Sequence, residues 1–364
     1  MKAWQFYGFG DMRLDEVPDP ELRAAHVLVE TLCVQPSVTE AQLAFGVRAL
    51  AFDEIERRLA REAPVRLFGH EFCARVLESP HGSRFRPGDR VAARAKLPCG
   101  DCPLCAGGRA EICRKGPIIG FQLPGCLSEF ALLPEAALVK VDDRITDSEG
   151  ACLQSLSDSL AAVDTAAIRL GESVAVFGQG SMGLECMQAA RCAGAGLIVT
   201  VDVRDEACRA SRELGAHASI NAAEDDPVAA IRDLTGGNGA DIVFECAGGS
   251  PEQGLSGSKT LEQAIRAVRS GGKLVGVSWF GRPLRIDIDA LRERSLRLLF
   301  PDISTSAHLE HTVRLVASGQ VRLGPMITHV LTGIEAVPEA FCITANKGRH
   351  GAINPAQVML AAAA

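Results

Sequence analysis

The chain has 364 residues, of which 47% are hydrophobic and 23% charged, and its formal net charge at pH 7 is −7. This length exceeds what one hydrophobic core usually supports, so two domains are expected. No stretch reaches the roughly eighteen uninterrupted apolar residues of a membrane span, and no basic block suits a phosphate backbone, so the sequence argues against membrane and nucleic-acid partners. A small-molecule substrate is expected instead. The N-terminal stretch lacks the pattern of a secretory signal, which predicts a cytoplasmic protein.

The first 150 residues or so contain short apolar runs broken by glycine and proline, such as HVLVETLCV and RPGDRVAARA. These runs predict irregular β-strands. From about residue 155 to 302 the pattern changes to strands and amphipathic helices in alternation, beginning with the strand SVAVFG and the helix SMGLECMQAARCAG. Six short buried strands joined by helices predict a doubly wound parallel sheet.

Four cysteines occupy the stretch LPCGDCPLCAGGRAEIC, residues 97–113. Cys99, Cys102, Cys105 and Cys113 follow the spacing C-x2-C-x2-C-x7-C, which lets one loop wrap four thiolates around a zinc ion. Four sulfur ligands leave no open position, so this zinc is predicted to organise a lobe and not to catalyse. An iron–sulfur cluster is the competing interpretation, but the Cys-Pro ending of bacterial ferredoxin motifs is missing.

The first strand of the alternating region ends in GQGSMG, just before a helix. Gly178, Gly180 and Gly183 form the G-x-G-x-x-G pattern, with Ser181 and Met182 between the last two glycines. The glycines permit a tight turn and let backbone amides approach a pyrophosphate at the helix N-terminus. We therefore predict that these five residues bind a dinucleotide.

The acidic residue expected after such a motif is Asp202, which closes the next predicted strand. A carboxylate at this place accepts hydrogen bonds from both hydroxyls of the adenosine ribose and repels a 2′-phosphate, so NAD is predicted in preference to NADP. Arg204 lies two residues further on and is able to soften that preference by pairing with a phosphate. Both Asp202 and Arg204 are predicted cofactor-binding residues.

Several motifs occur together in a fixed order along the chain. They are the cysteine lobe, FGHE at 68–71, RPGDRV at 86–91, LSEFALLP at 127–134, GQGSMG and Asp202. As an ordered set they resemble the zinc-containing medium-chain dehydrogenases, which include alcohol, sorbitol and threonine dehydrogenases, over essentially the whole chain. The resemblance implies an irregular GroES-like β-barrel catalytic domain, residues 1–154 and 303–364, around a Rossmann NAD-binding domain, residues 155–302. It also implies a homodimer or homotetramer.

In such enzymes a second zinc has an open position that binds the substrate oxygen. The resemblance places its ligands at a cysteine in a C-G-T-D-like segment, the histidine of G-H-E, and a cysteine or glutamate ahead of the nucleotide-binding domain. This chain has His70 and Glu71, but Ser37 and Gln154 stand at the other two places. A serine hydroxyl is a poor zinc ligand near neutral pH and an amide brings no charge, so these departures favour loss of the second zinc. The alternative is a weakened zinc held by His70, Glu71, water and Gln154.

The resemblance further implies which side chains handle the substrate. Thr39 matches a hydroxyl that many relatives use to pass the substrate proton outward, and His70, with Ser37 and Glu71, is expected at the substrate oxygen. Cys33 is a possible replacement ligand, although a buried strand thiol is the favoured interpretation because the helix-like TEAQLAFG fixes the register at Ser37.

These observations predict an NAD(H)-dependent oxidoreductase that interconverts a secondary alcohol and a ketone. Without a catalytic zinc, a reductase of an activated C=C or C=N bond is the second hypothesis. A non-catalytic nucleotide-binding protein is the third. Trp279 and Phe280 follow the fifth strand of the alternating region, where they either line an apolar substrate wall or serve in packing.

Overall fold

The computed structural model describes residues 1–249, 257–281 and 283–360. It divides into two compact units: unit 1 comprises Met1–Ser157, Ile303–Gly319 and Ile327–Ala364, and unit 2 comprises Asp158–Asp302 and Gln320–Met326. Parts of both predicted domains, residues 250–256, 282 and 361–364, lie outside the described residues.

The strands and helices of the described ranges are numbered here in chain order. The strands are β1 (Lys2–Gly8), β2 (Asp11–Glu16), β3 (His26–Gln35), β4 (Glu71–Glu78), β5 (Arg90–Ala93), β6 (Phe130–Pro134), β7 (Leu138–Lys140), β8 (Ser173–Phe177), β9 (Leu197–Asp202), β10 (Ala218–Asn221), β11 (Ala240–Glu245), β12 (Val268–Gly276), β13 (Arg297–Leu299), β14 (Val330–Thr332) and β15 (Gln357–Met359). The helices are α1 (Val38–Ala44), α2 (Phe52–Glu62), α3 (Pro103–Ala106), α4 (Asp147–Ala151), α5 (Leu153–Ala166), α6 (Ser181–Cys192), α7 (Asp205–Glu213), α8 (Pro227–Leu234), α9 (Lys259–Ala267), α10 (Ile288–Glu293), α11 (Ser306–Ala317), α12 (Val337–Ala345) and α13 (Lys347–His350).

Unit 1 is built on a mostly antiparallel sheet with the strand order β14-β15-β3-β4-β5-β7, and β6 pairs with β3 on a separate path. The long strand β3 crosses the middle, and its pairing with β4 shifts register between Leu28 and Val29 and between Thr31 and Cys33. Such shifts bend and twist a strand, which lets one sheet curl around a core. The irregular β-structure predicted for the first half of the chain is therefore present.

The core of unit 1 contains a group of aromatic rings that supports the FGHE segment. The ring of Phe68 packs edge-on against Phe6, with a centroid distance of 4.9 Å, and lies 6.1 Å from Phe341. All three side chains are at most 2% exposed. Burial of three large rings anchors the backbone that immediately precedes His70.

Unit 2 is a six-stranded parallel sheet with the order β10-β9-β8-β11-β12-β13. The strand order reverses beside β8, so the carboxyl ends of β8 and β11 form the switch point at which such sheets bind ligands. The predicted doubly wound sheet of six strands is confirmed. Its strands read as continuous apolar runs because both faces are covered.

The amphipathic pattern TLEQAIRAVRSGG, residues 260–272, predicts a helix up to the glycine pair, but α9 ends at Ala267 and β12 begins at Val268. Val268 pairs with Ala240, the register shifts before Ile242 pairs with Lys273, and the Arg269 guanidinium donates to Asp241 at 2.6 Å. These contacts with β11 extend the strand, which a local periodicity does not reveal.

The division into units differs in two places from the domain bounds predicted above. The first boundary falls after Ser157 instead of after residue 154, inside α5. Residues 320–326, predicted to lie in the catalytic domain, group with unit 2 because the Gln188 side chain both donates to and accepts from the backbone of Arg322, at 3.1 and 2.9 Å. Met326 is fully buried there.

Candidate active site and metal centre

The four cysteines of the lobe bring their sulfur atoms together. The Sγ–Sγ distances are 3.5 Å for Cys102–Cys105 and Cys99–Cys113, and 3.9 Å for Cys99–Cys105 and Cys102–Cys113. Because a zinc–sulfur bond of about 2.3 Å in a tetrahedron spaces the sulfurs roughly 3.8 Å apart, the lobe fits one zinc ion. Four thiolates would fill the coordination shell, so this ion would hold the lobe together without binding substrate.

Backbone hydrogen bonds lower the pKa of two lobe thiols, Cys102 and Cys113, whereas a hydrogen bond with Asp101 raises the pKa of Cys99 and burial raises that of Cys105. The backbone N–H of Cys99 donates to Sγ of Cys113 at 3.4 Å, and this hydrogen bond lowers the pKa of Cys113 to about 6. Helix α3 starts directly after Cys102, with Pro103 at its first position. The turn thereby places Cys102 and Cys105 on the same side of the lobe.

The glycine motif forms the turn between β8 and α6, with Gly180 as the N-cap of the helix. Gly178 has φ +85°, and a Cβ atom there would lie 2.7 Å from Cα of Ala247. A Cβ atom on Gly183 would lie only 1.7 Å from the carbonyl oxygen of Gly178. The backbone is therefore packed so closely that only glycine fits, which is the arrangement that a dinucleotide cradle needs.

Asp202 lies at the end of β9, beside the glycine turn. Its Oδ2 accepts from the backbone N–H of Gln179 at 2.7 Å, and its Oδ1 accepts from the N–H groups of Val203 and Arg204 at 2.8 and 3.0 Å. The carboxylate is thus fixed in direct contact with the GQGSMG loop. The Arg204 side chain extends back toward it, with Nε 3.5 Å from Oδ1 of Asp202 and Nη1 3.8 Å from Glu206.

The remaining predicted residues of unit 2 occupy less distinctive places. Ser181 and Met182 form the first turn of α6, where Ser159 donates to the Met182 carbonyl at 3.4 Å. Trp279 is 63% exposed, whereas Phe280 is half-buried against the hydrophobic core of unit 2. Packing therefore accounts for Phe280. Of the two rings predicted to line a substrate wall, the indole of Trp279 is the one that is exposed and could still do so.

Sequence reasoning missed Glu245, a fully buried residue at the end of β11. Its Oε1 accepts from the backbone N–H groups of Ala247 and Gly248 at 3.1 and 2.9 Å and from the Thr260 hydroxyl at 2.8 Å, while its Oε2 accepts from the Ser278 hydroxyl. It fixes the loop against which Gly178 packs. Only its position in the strand ending VFE could have drawn attention to it.

His70 follows a tightly constrained backbone segment in unit 1. Phe68 has φ +65°, which is unusual for a large side chain, and its carbonyl oxygen would lie 1.9 Å from a Cβ atom on Gly125. Gly69 accepts a backbone hydrogen bond from Cys126 at 2.9 Å. Strained backbone conformations that are held by the surrounding structure are typical of functional sites. Here the strained segment fixes the position of the His70 backbone and so of its side chain.

The imidazole of His70 is held by Glu40, which the sequence analysis did not single out. His70 Nδ1 lies 2.5 Å from Oε1 of Glu40, and the His70 backbone N–H donates to the same oxygen at 3.3 Å. Glu40 is fully buried, and the His70 side chain is 11% exposed. A buried carboxylate requires donors around it, so the Nδ1 hydrogen points to Glu40 and leaves Nε2 as the reactive nitrogen.

Ser37 and Glu40 also form a capping box at the start of α1. The Ser37 hydroxyl accepts from the Glu40 N–H at 3.1 Å, and Oε2 of Glu40 accepts from the Ser37 N–H at 3.0 Å. The S-x-x-E pattern in SVTE is the signal that predicts this arrangement. One residue, Glu40, thereby fixes both the helix start and the histidine.

Glu71 begins β4, next to His70, and is 6% exposed. Its Oε2 accepts from the Gln35 amide at 2.5 Å, and its Oε1 lies 3.8 Å from His70 Nε2. The side-chain oxygen of Gln35 in turn accepts hydrogen bonds from the side-chain amides of Asn354 and Gln357 at 2.7 and 2.8 Å. A chain of buried amides therefore connects the C-terminal segment with the carboxylate beside the histidine.

The ligand set for a second zinc does not fit. Among the described residues, the four lobe cysteines are the one group of three or more histidine, cysteine or acidic side chains whose ligand atoms converge. The Ser37 hydroxyl is engaged in the helix cap, and Gln154, 4% exposed near the start of α5, offers a neutral amide. Within the part of the chain that the structure describes, no third strong ligand converges with His70 and Glu71.

Two further predicted residues lie near this site in the fold. Thr39 is half-buried in the first turn of α1, one residue before Glu40. Cys33 is fully buried within β3, where its thiol lies 3.8 Å from the Gln357 amide oxygen, and burial raises its pKa to about 12. Cys33 pairs with Cys73 of β4 and Met359 of β15 inside the sheet, which supports the structural interpretation of this thiol.

The segment that follows α1 forms α2, an amphipathic helix that contacts the backbone of Phe121. Phe52 of this helix stacks on Phe9 with a centroid distance of 4.9 Å, and Arg58 donates to the Phe121 carbonyl. The Phe121 ring lies 5.9 Å from the imidazole of His70. Helix α2 therefore supports one wall of the histidine site within unit 1.

None of the described helices has the length and apolar character to cross a membrane.

Two family models match the chain. One, the alcohol dehydrogenase GroES-like domain, matches residues 28–143, and the other, zinc-binding dehydrogenase, matches residues 181–318. Together they cover most of the sheet of unit 1, without β14 and β15, and most of the parallel sheet of unit 2, without β8. The predicted fold class, a GroES-like domain with a Rossmann-type sheet, is confirmed.

Individual relatives match over most of the chain. The sequence is 28% identical to an erythritol/L-threitol dehydrogenase from Mycolicibacterium smegmatis over 342 residues, which is 90% of each chain. It is 30% identical to sorbitol dehydrogenase 1 of Saccharomyces cerevisiae over 279 residues, covering 74% of this chain and 75% of that one. A zinc-binding dehydrogenase from Sinorhizobium meliloti, solved bound to NADP, superposes with a TM-score of 0.85 at 27% identity and 98% coverage of both chains.

Proposed function

This chain belongs to the zinc-binding alcohol dehydrogenase family, and from that premise we propose that it is an NAD(H)-dependent oxidoreductase that interconverts a secondary alcohol and a ketone. The observation that carries the proposal is the cradle in unit 2, where Gly178 and Gly183 leave room only for backbone and Asp202 contacts the same loop. Side chains at those glycines would fill the space that a pyrophosphate needs. A bound nicotinamide cofactor would supply hydride transfer.

We propose a polyol, or another small molecule with adjacent hydroxyl groups, as the substrate class. The support comes from two relatives that match most of the chain and are named for erythritol, L-threitol and sorbitol. Beside His70, the carboxylate of Glu71, whose Oε1 lies 3.8 Å from Nε2, is a partner for substrate hydroxyl groups, and Thr39 of α1 is the predicted second partner. Hydroxyl-rich substrates are recognised by such hydrogen-bonding side chains more selectively than by apolar walls.

Turnover of a substrate panel tests this proposal. We expect the full-length protein, replete with zinc at the lobe, to bind NADH in a calorimeter and to reduce NAD⁺ in the presence of tetritols or hexitols. Cofactor uptake without turnover across alcohols, ketones and enones would favour a non-catalytic nucleotide-binding protein. Failure to take up either NAD(H) or NADP(H) would refute the oxidoreductase proposal.

Cofactor preference depends on Asp202 and Arg204. We expect the protein to prefer NAD⁺ and the Asp202→Ala variant to shift the NAD⁺/NADP⁺ ratio of kcat/KM by about 10- to 100-fold toward NADP⁺, because hydrogen bonds to a charged carboxylate contribute about 1.5 to 3 kcal/mol. Loss of the carboxylate also frees Arg204, which lies 3.5 Å away, for a 2′-phosphate. Steady-state kinetics with both cofactors measure this ratio.

The exposed acid Asp233, on α8 of the same unit, provides the matched control, because Asp233→Ala should leave the ratio unchanged. A strong NADP⁺ preference in the unmodified protein that survives replacement of Arg204 would contradict the role assigned to Asp202.

One observation favours a second candidate function. The Ser37 hydroxyl and the Gln154 amide are poor ligands for a catalytic zinc. Reduction of an activated C=C or C=N bond has less need of a Lewis acid than oxidation of a simple alcohol. Enones and imines therefore belong in the same substrate panel.

The predicted cytoplasmic location and the homodimer or homotetramer are likewise proposals, which rest on the sequence and the family.

A further inference from the structure

We propose that His70, oriented by Glu40, exchanges the substrate proton in place of a catalytic zinc. This inference rests on the proposed alcohol–ketone function. It concerns the group that takes up the proton of the substrate hydroxyl. In the family, a zinc ion bound to the substrate oxygen makes that proton easier to remove. Three features of unit 1 support it, namely the engaged serine, the buried Glu40–His70 pair and the amide chain that holds Glu71.

The first feature is the use of Ser37. Its hydroxyl accepts the Glu40 N–H at 3.1 Å and so caps α1 at the place where the resemblance puts a thiolate ligand. A capping hydroxyl at this position stabilises a helix by about 1 kcal/mol, and turning it toward a metal would forfeit that contact. A hydroxyl also remains protonated near neutral pH, so it contributes no negative charge to a metal site.

The second feature is the Glu40–His70 pair. The carboxylate of Glu40 is fully buried and receives His70 Nδ1 at 2.5 Å, in addition to the backbone N–H groups of His70 and Ser37 at 3.3 and 3.0 Å. This arrangement selects the tautomer in which Nε2 is the proton acceptor. When Nε2 takes up a proton, the adjacent carboxylate stabilises the positive charge of the imidazolium, as in a carboxylate–histidine general base.

The third feature is the way in which Glu71 is held. Gln35 donates to its Oε2 at 2.5 Å, and the Gln35 carbonyl is itself fixed by Asn354 and Gln357 at 2.7 and 2.8 Å. All three amides are fully buried, so the carboxylate has little freedom to move. Its other oxygen lies 3.8 Å from His70 Nε2 and adds a second negative charge beside the nitrogen that would be protonated.

The chemical step balances with these groups. During oxidation the C–H bond of the alcohol breaks and its electron pair leaves with the hydrogen as hydride to the oxidised nicotinamide ring. The O–H bond breaks and its proton passes to Nε2 of His70, while the C=O bond forms. The reverse direction returns the proton from the His70 imidazolium to the carbonyl oxygen. Glu40 stays ionised throughout and acts as the positioning residue.

Comparison of the unmodified protein with the His70→Ala variant tests the inference. We expect both to contain the same amount of zinc per chain after purification without chelators. We expect kcat of the variant to fall by about 100-fold, within the range for loss of a general base, while KM changes by less than about threefold. The exposed residue His81 provides the matched control, and His81→Ala should leave zinc content and kcat unchanged.

Two results would overturn the inference. One is a zinc content that is lower by one ion per chain in His70→Ala than in the unmodified protein, because His70 would then be a metal ligand. The other is a kcat of His70→Ala within about threefold of the unmodified value. If the unmodified protein turned over nothing in the panel, the proposed function would fail instead, and the zinc comparison would still decide the role of His70.

Substitution of Glu40 examines its role as the positioning residue. Glu40→Gln should lower kcat by about tenfold at unchanged zinc content and KM, because the amide does not stabilise an imidazolium charge. Glu40→Asp, which keeps the charge, should recover part of the loss. A purely structural role would instead affect both variants alike, and Glu56→Gln on the exposed side of α2 serves as the control.

Discussion

Gly183→Ala should abolish dinucleotide binding. A Cβ atom at this position would lie 1.7 Å from the carbonyl oxygen of Gly178 and 2.8 Å from its carbonyl carbon, both of which are backbone atoms. Helix α6 is almost entirely buried from Ser181 to Ala190, so the helix is unable to retreat and the glycine turn must move instead. We expect Kd for NADH to rise by at least about 1000-fold, which corresponds to about 4 kcal/mol.

Calorimetric titration with NADH measures this loss, and circular dichroism confirms that the variant is folded. Gly348→Ala is the matched control, because a Cβ atom there meets nothing within 4 Å. It should bind NADH as the unmodified protein does. If Gly183→Ala bound NADH with unchanged affinity, the GQGSMG turn would not be the cofactor cradle, and the proposed function would lose its principal support.

The features predicted correctly from the sequence are those written in short stretches of chain. The parallel strands of unit 2 follow from continuous apolar runs, and the lobe follows from cysteines that lie within 97–113. The glycine motif joins a strand to a helix at the position expected. In each case the residues that determine the geometry are close in sequence, so spacing alone carries the information.

The features that sequence reasoning missed depend on contacts between distant segments. Glu40 reaches His70 across thirty residues, and Gln35 connects Glu71 with the C-terminal residues Asn354 and Gln357. Local periodicity does not report such hydrogen bonds, because they require β3, β4 and β15 to be paired in one sheet. The capping-box pattern at SVTE was visible, but it gives Glu40 a role in the helix and not in the site.

This difference explains why the sequence shows where a ligand position departs from the family pattern but not what the folded chain places beside it. Ser37 and Gln154 are recognisable as departures from a motif, since each occupies a single expected position. The replacement, a buried acid–imidazole pair with a second carboxylate held by amides, is spread over four separate segments. Its chemical meaning follows from distances and burial, for which the sequence provides no measure.

The second large effect is expected at the cysteine lobe, where Cys113→Ser should remove zinc and unfold the lobe. Between residues 100 and 115 the buried positions are Cys102 and Cys113, so this segment has no hydrophobic core of its own. Its base is closed by the backbone hydrogen bond from Leu97 to the Pro117 carbonyl at 2.9 Å. Metal–sulfur bonds would therefore supply most of the free energy that orders the segment.

We expect zinc to fall from about one ion to about none per chain in Cys113→Ser, with a loss of at least roughly 3 kcal/mol in stability of the lobe, because metal binding to such a loop is coupled to its folding. Trypsin should then cut at the exposed Arg114 and Lys115, which zinc-loaded protein protects. Cys342→Ser, at an exposed cysteine of α12, should change neither zinc content nor proteolysis. A Cys113→Ser variant that keeps its zinc and its resistance to trypsin would show that the four sulfurs, despite their spacing, do not form the metal centre.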